Sequence, residues 1–527
     1  MNIEPLVDFR SFHSISINGD YLIFDRRSCG TFAVSPSAWA VLDSVESGTQ
    51  LEHALNIHLQ TDEERSLMRT LISDLIENGL FKYEPVNHSE QEHLIEQLMR
   101  HQPRRIQLLM AQGCNLGCRY CYAWRNGSNQ KATLMPFPVA RRSVDFLVAR
   151  SGTRTDLQVT FFGGEPLLNL DVIRQVVGYC RSLELNSDKQ FTFELITNGT
   201  LLSKEVTDWI VAERFLLFVS IDGWKEMHNH NRPSLTGEDF HEKIVANALY
   251  ANKEYEKAGL VPVKVRANLT NAYHDAEKVG NYLSSLGFRT VGIGAIEPLP
   301  HSDNSPSALT EIQMDELHSK LQATLKISVD AVINGGALPP FAKQQLQKSL
   351  GQMTPRALKG ITCGVIRNTA VVDNKGNIFP CHRYEGMDAY IVGNVFDGLN
   401  QSQVLSYYRK VNGNATSRCH SCWIRDYCAG GCAWLLSAKD GHLADPTERE
   451  CNRRRKSVES AIWLRQKMRS HFPERFTGEG EIDLDSWSWG DAEAYNDAGD
   501  EPVLTAATET GKCGGGCEDC GPTGCSN

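Results

Sequence analysis

At 527 residues the chain is too long for one ordinary domain and has room for three or four. A hydrophobic fraction of 41% and a charged fraction of 22% are those of a globular protein, and a net charge of −10 argues against a nucleic-acid partner for the chain as a whole. The first residues show no basic stretch followed by an apolar core, and no apolar run approaches the ~18 residues of a membrane helix. A cytoplasmic location with no membrane partner is therefore expected, and 16 cysteines in such a chain point to metal or redox chemistry, not disulfides.

In chain order, residues 1–85 read as a compact unit. β-type runs at 14–18 and 21–24 flank Gly19-Asp20, a hairpin-turn pair, and a third run covers 31–35. Ser35-Pro36 is an N-cap and N1 pair opening a helix through Val45. A second helix follows Gly48-Thr49, and a third starts at the capping box Thr61-Asp62-Glu63-Glu64 and stops at Gly79. Three strands and three helices of this kind resemble the winged-helix peptide-recognition element akin to the chaperone of pyrroloquinoline quinone biosynthesis. The resemblance implies that a leader peptide is held as an added edge strand. The alternative, a DNA-binding winged helix, lacks a basic recognition helix, since His53 and His58 are the only groups in the second helix that can turn positive.

Residues 86–104 are polar and read as a linker. Apolar strand-like runs then recur at 106–110, 157–162, 191–196, 215–221, 263–269 and 290–296, with helical stretches such as 138–150, 170–183 and 240–258 between them. Strands alternating with helices predict a parallel sheet with crossovers, and six repeats suit a partial barrel spanning 105–301. Chemistry in such barrels belongs at the C-terminal ends of the strands. Residues 302–360 read as a helical connector, 361–472 as a cysteine-rich region with a closing helix at 457–472, and 473–527 as an acidic, disordered tail.

The first strand runs straight into Gly113-Cys114-Asn115-Leu116-Gly117-Cys118-Arg119-Tyr120-Cys121. Three thiolates at C-x3-C-x2-C spacing leave one iron of a four-iron cubane open to an outside ligand. Zinc is the competing reading of the spacing alone. With this loop, Gly163-Gly164-Glu165 after the second strand and Thr197-Asn198-Gly199 after the third, the chain resembles the radical SAM superfamily. The resemblance implies an α/β fold with an open (β/α)6 barrel, a [4Fe-4S] cluster on Cys114, Cys118 and Cys121, and bound S-adenosylmethionine. It further implies that Tyr120 borders adenine, that Gly163, Gly164 and Glu165 grip the methionine amino group, and that Asn198 lines the cofactor. Ser220 would reach the ribose. Asp222 either lines the cofactor too or shapes the turn with Gly223. Arg266 would pair with the methionine carboxylate, its alternative being a surface strand arginine. Gly292 and Gly294 form too weak a motif to read as nucleotide-binding.

Downstream, the order Cys363, Cys381, Cys419, Cys422, Cys428, Cys432, Cys451 resembles the seven-cysteine SPASM domain. The resemblance implies two auxiliary [4Fe-4S] clusters, one on Cys419, Cys422, Cys428 and Cys451 and one on Cys363, Cys381 and Cys432. The second set has three thiolates, which leaves an iron open to a substrate thiol. A two-zinc ribbon is the alternative. Sulfatase maturases share these two domains but carry an acidic base after the residue matching Cys381. Here His382 stands there, as a candidate catalytic residue and a departure from that activity. Cys513, Cys517, Cys520 and Cys525 close the chain as a metal-binding or thiol-relay tail, a ligand for the open auxiliary iron, or a silent tail. Cys29 and Cys180 read as small buried apolar residues.

These readings together imply an enzyme that modifies a ribosomally made precursor peptide by adenosyl-radical hydrogen abstraction, with a thioether as the expected product. A carbon–carbon or other side-chain cross-link, or epimerisation, is the alternative. A low-potential reductant such as flavodoxin or ferredoxin would be the electron-donating partner. A non-catalytic iron–sulfur carrier would need neither the GGE motif nor the N-terminal unit.

Overall fold

A computed structural model describes residues 11–26, 30–77, 80, 102–123, 133–297, 306–351, 369–411, 417–420, 422–428, 430–438 and 440–473. Cys29, Cys363, most of the linker and the acidic tail with its four cysteines lie outside the described residues.

The N-terminal unit is an antiparallel sheet of strands β1 (Phe12–Ile17), β2 (Asp20–Asp25) and β3 (Thr31–Ala33) in that spatial order, with helices Pro36–Glu46, Leu51–His58 and Asp62–Glu77. The hairpin turns on Asn18 and Gly19, at φ of 56° and 84°, one residue earlier than the Gly19-Asp20 reading. Both expected caps are made. Ser35 Oγ accepts from Ala38 N at 3.2 Å, while Thr61 and Glu64 exchange hydrogen bonds of 3.1 and 3.0 Å.

Because successive strand residues point to opposite faces, this sheet is apolar on both sides. Phe12 and Ile23 join the unit's own helices in one core. Ile15, Leu22 and Phe24 join a second core with Leu325, Val329, Leu346 and the helix Glu448–His471, through Ile462, Trp463 and Met468. The unit is thus welded to the rest of the chain. Polar contacts ring the weld: Asp20 accepts from Trp463 Nε1 at 2.7 Å and from Lys467 Nζ at 2.8 Å. His13 lies between Glu46 (2.7 Å) and Glu459 (3.3 Å).

The six expected barrel strands are all present as β4 (Arg105–Ala111), β5 (Asp156–Gly163), β6 (Gln190–Thr197), β7 (Leu216–Ser220), β8 (Lys264–Leu269) and β9 (Thr290–Ala295), each parallel to the next. Their outer faces pack on helices in one continuous core, in which the rings of Phe161, Phe193 and Phe215 contact one another at 5.2 to 6.2 Å. The opposite face is polar: Glu194 accepts from Gln158 Nε2 at 3.0 Å and Thr160 Oγ1 at 3.2 Å.

The sheet does not stop at the expected boundary of the cysteine-rich region. β10 (Thr369–Val372) pairs in parallel with β4, and β11 (Asn377–Phe379), β12 (Gly393–Asn394) and β13 (Gly398–Leu399) continue it antiparallel, giving ten strands. The connector supplies helices Glu311–Ile333 and Pro340–Gly351. The closing helix begins at Glu448 under a Thr447 cap, nine residues before the expected start, and so carries Cys451 in its first turn.

Burial alone would pull the His13 pKa down, but the hydrogen bonds and charges of Glu459 and Glu46 outweigh it and the net shift is upward. A raised folded-state pKa gives stability that is full below the unfolded value near ~6.5 and is lost as pH rises through the folded value. The urea midpoint of the wild-type chain should therefore drop more between about pH 6 and about pH 9 than that of His13→Gln. Parallel midpoint curves for the two proteins would contradict this.

Candidate functional site

The loop from Gln112 to Cys121 leaves the C-terminal end of β4 with no regular structure of its own and is held by its neighbours. Gly164 N donates to Ala111 O at 2.7 Å, and Glu165 N to Gly113 O at 3.1 Å. Gly163 makes this approach feasible. Its φ is +125°, and a Cβ there would lie 2.5 Å from the Ala111 carbonyl oxygen. On the far side Gly117 N donates to Pro233 O at 2.7 Å and Arg119 N to Asn231 O at 3.0 Å. The three thiols stand close enough to feel one another's charge, and burial raises Cys118 strongly and Cys114 to about 11. Donors point at sulfur: Leu116 N lies 3.5 Å and Asn198 Nδ2 3.6 Å from Cys114 Sγ.

Glu165 is fully buried. Its carboxylate accepts from Leu167 N (3.1 Å), Thr197 Oγ1 (2.7 Å) and Asn198 N (2.8 Å), so it bolts the end of β5 to the end of β6. Burial raises its pKa to about 7 despite those donors. Asn198 continues the chain of contacts to Asn115 (2.9 Å), which in turn donates to Thr200 Oγ1 at 2.8 Å.

Tyr120 Oη donates to Asp222 Oδ2 at 2.7 Å. Asp222 Oδ1 accepts from Asn268 N at 2.9 Å and from Arg232 Nη2 at 3.1 Å, with the two charged side chains only 0% and 8% exposed. The Arg232 guanidinium lies 5.5 Å from the Tyr120 ring centroid and lowers the cost of a thiolate at Cys118. Sequence reading missed Arg232: it follows a short helix, Lys225–Asn231, and only its place immediately before Pro233, whose carbonyl grips Gly117, marks it out. Arg266, by contrast, sits mid-strand on β8 in register with Ser220 and Gly292, near His382.

The second cysteine group approaches the same mouth. Cys381 precedes the turn His382–Tyr384, and its thiol, raised to about 11 by burial, feels Cys432 and Arg383. Cys419, Cys422, Cys428 and Cys451 feel one another's charge in a separate set. Between Cys428 and Cys432 the chain turns through Gly430 and Gly431; at Gly431, φ +89°, a Cβ would meet the Arg454 guanidinium at 2.9 Å. A cavity of about 340 Å³ opens beside Cys419, Gly430 and His442. The two groups meet through aromatic rings. Tyr122 lies 5.7 Å from His382 and 6.1 Å from Trp434, and Phe162 lies 4.8 Å from His382. Burial, with Arg383 and Arg266, drives the His382 pKa down to about 3, so its ring is neutral and a weak proton acceptor near neutrality.

Among the described residues no three His, Cys, Asp or Glu side chains converge on a single metal ion. Free thiols on one loop, N–H groups aimed at sulfur and a buried guanidinium fit an anionic thiolate-ligated cluster.

The described residues thus form an α/β arrangement with a parallel sheet, a cysteine loop at the C-terminal end of β4 and a glycine-acid turn at the end of β5. Residues 108–263 match the model of the Radical SAM superfamily, a class that binds a [4Fe-4S] cluster and S-adenosylmethionine; the chain contains a radical SAM domain. It is 29% identical over 196 residues to an uncharacterized protein, MJ0907, of Methanocaldococcus jannaschii, covering 37% of this chain and 63% of that relative, less than two thirds of its length. It is 25% identical to a cysteine-type anaerobic sulfatase-maturating enzyme of Clostridium perfringens over 62% of this chain and 88% of the relative. It is 21% identical to the radical SAM cyclopropyl synthase TigE of Paramaledivibacter caminithermalis, over 82% and 88%. The fold is similar to the solved structure of native anSMEcpe with bound AdoMet and Cp18Cys peptide, with a TM-score of 0.56, 20% identity and coverage of 71% of this chain and 99% of that one. No helix among the described residues is long and apolar enough to cross a membrane.

Asp222→Asn leaves the Arg232 cation buried without its counter-charge and should cost the metal-free protein about 3–5 kcal/mol in urea unfolding. The double variant Asp222→Asn/Arg232→Met should recover most of that stability while still binding S-adenosylmethionine more weakly than wild type in calorimetry. Wild-type stability in the single variant would refute the pairing.

Proposed function

We propose that this chain matures a ribosomally made peptide, using the first cysteine group to start a radical on the peptide and the second to finish the bond. Cys114, Cys118 and Cys121 hold the S-adenosylmethionine-cleaving cluster. When bound, that cluster and its cofactor supply one electron and an adenosyl radical able to take hydrogen from a C–H bond. Tyr120, Gly163, Gly164, Asn198, Ser220 and Asp222 surround the cofactor, and Arg232 joins Arg266 as a candidate partner of its carboxylate. Glu165 acts by fixing the loop ends, its oxygens being engaged with Thr197 and Asn198. Residues 361–472 act as a SPASM domain, with auxiliary clusters on Cys419, Cys422, Cys428 and Cys451 and on Cys381, Cys432 and Cys363. Phe162, Tyr122 and His382 exclude water between the two groups.

The observation that carries this reading is the contact of Tyr122, next to Cys121, with His382 and Trp434, which flank Cys381 and Cys432. A peptide lying there touches both groups at once, which favours capture of a cysteine sulfur and a thioether product; a carbon–carbon cross-link is the runner-up. A flavodoxin or ferredoxin would supply the electron. Sulfatase-type cysteine oxidation is a second reading, favoured by the relative matched over 88% of its length.

The N-terminal unit is read as the leader-binding element. β1 is covered by the closing helix, whereas β3 lies at the other edge of the sheet. Val34 N and Asp25 N bond across to β2 and Gly30, so alternation turns the N–H groups of Thr31 and Ala33 outward. The same unit exposes Ile57, Leu67 and Leu71.

Co-expression with a precursor peptide encoded beside the gene should remove two hydrogens per cross-link, read by mass spectrometry, and Cys118→Ala should abolish both that loss and 5′-deoxyadenosine release. Conversion of a sulfatase-type cysteine peptide, with the precursor unchanged, would favour the second reading. Ala33→Pro blocks the outward edge and should weaken precursor binding tenfold or more, by roughly the worth of lost edge hydrogen bonds, with 5′-deoxyadenosine release intact. Equal binding by Ala33→Pro would remove the β3 edge from the account.

A further inference from the structure

Arg26, just past β2, reaches out of the N-terminal unit and donates from Nη2 to the backbone carbonyl of Cys422 at 3.0 Å. The next residue, Trp423, is held by the same two strands. The His13 ring of β1 stacks on it at 3.8 Å and 17°, and Phe24 of β2 meets it edge-on at 6.1 Å. Trp423 also packs on the core shared by the sheet and the closing helix. The segment it belongs to has little order of its own. Cys419 and Cys428 sit in two single-turn helices, Ser417–His420 and Arg425–Cys428, too short to be stable alone. Arg455 of the closing helix also interacts with Cys422.

We propose that the N-terminal unit, besides any peptide it holds, is a built-in template for the second cysteine group. Arg26 and the His13–Trp423 stack are positioning residues that fix the Cys422 backbone so that its thiol faces Cys419, Cys428 and Cys451 before metal arrives. The inference rests on reading those four cysteines as cluster ligands. It assigns to a unit far from them in sequence a role in assembling the site.

The test uses the full chain carrying Cys114→Ala, Cys118→Ala and Cys121→Ala, so that the first cysteine loop contributes no bound iron. After anaerobic reconstitution, adding Arg26→Ala should lower iron and sulfide per chain and broaden the cluster's electron paramagnetic resonance signal, while Arg26→Lys, which keeps a cationic donor, should restore both. In metal-free protein, Cys422 alkylation by iodoacetamide, mapped by peptide mass spectrometry, should rise by roughly tenfold in Arg26→Ala, the order expected for losing a charge-assisted hydrogen bond. Cys180, fully buried in the barrel, should stay unlabelled and so certify the fold. If Cys180 becomes labelled, the milder Arg26→Gln replaces Arg26→Ala under the same criteria. Equal iron, sulfide and Cys422 labelling with and without Arg26 would overturn the proposal alone. No iron or sulfide in the Cys114/Cys118/Cys121 triple variant would overturn the auxiliary-cluster reading and the proposal with it.

Discussion

Three sulfurs on a loop without secondary structure can serve one cluster only if something else fixes the loop, and here that something is a set of buried hydrogen bonds from adjoining strand ends. The Glu165 carboxylate is the hub: it ties β5 to β6, and through Asn198 to Asn115 and the Cys114 sulfur. On the other side the Asp222–Arg232 pair fixes Tyr120 and places a cation beside Cys118. Burying such groups is costly unless every lone pair is met. The neighbouring strands supply backbone donors for both carboxylates, Asn198 N after β6 for Glu165 and Asn268 N of β8 for Asp222.

The same economy explains the three cores among the described residues. The barrel core is continuous and apolar on the helix side, while the inward face holds Gln158, Thr160 and Glu194 in mutual hydrogen bonds. The small N-terminal sheet could not stabilise itself on one face alone. It buries Phe12 and Ile23 against its own helices and Ile15, Leu22 and Phe24 against the closing helix. Its position is thereby coupled to the helix that carries Cys451.

Much of this was legible in the residues. Strong apolar runs separated by helical periods marked β4 to β9, because buried parallel strands must be apolar along their length. Ser35 and Thr61 announced helix starts through local capping chemistry. What stayed hidden was non-local. Nothing in 369–399 signals that four short strands extend the barrel sheet past β4, since two of them are only two residues long. Arg232 carries no motif, and its importance comes from burial between Asp222 and Tyr120. The hairpin turn slipped by one residue because Asn18 and Gly19 both tolerate positive φ.

The pairing of β10 with β4 has a further consequence. An exposed strand edge invites association with any extended chain, and the β4 edge is the one immediately beneath the cysteine loop. By sealing it with its own later sequence, the polypeptide makes the half that carries the cysteine loop depend on a segment made some 260 residues afterwards. The emerging chain must therefore carry a bare edge, and the cysteine loop above it, through about half of its synthesis. Shielding during that interval falls to the environment in which the protein is made.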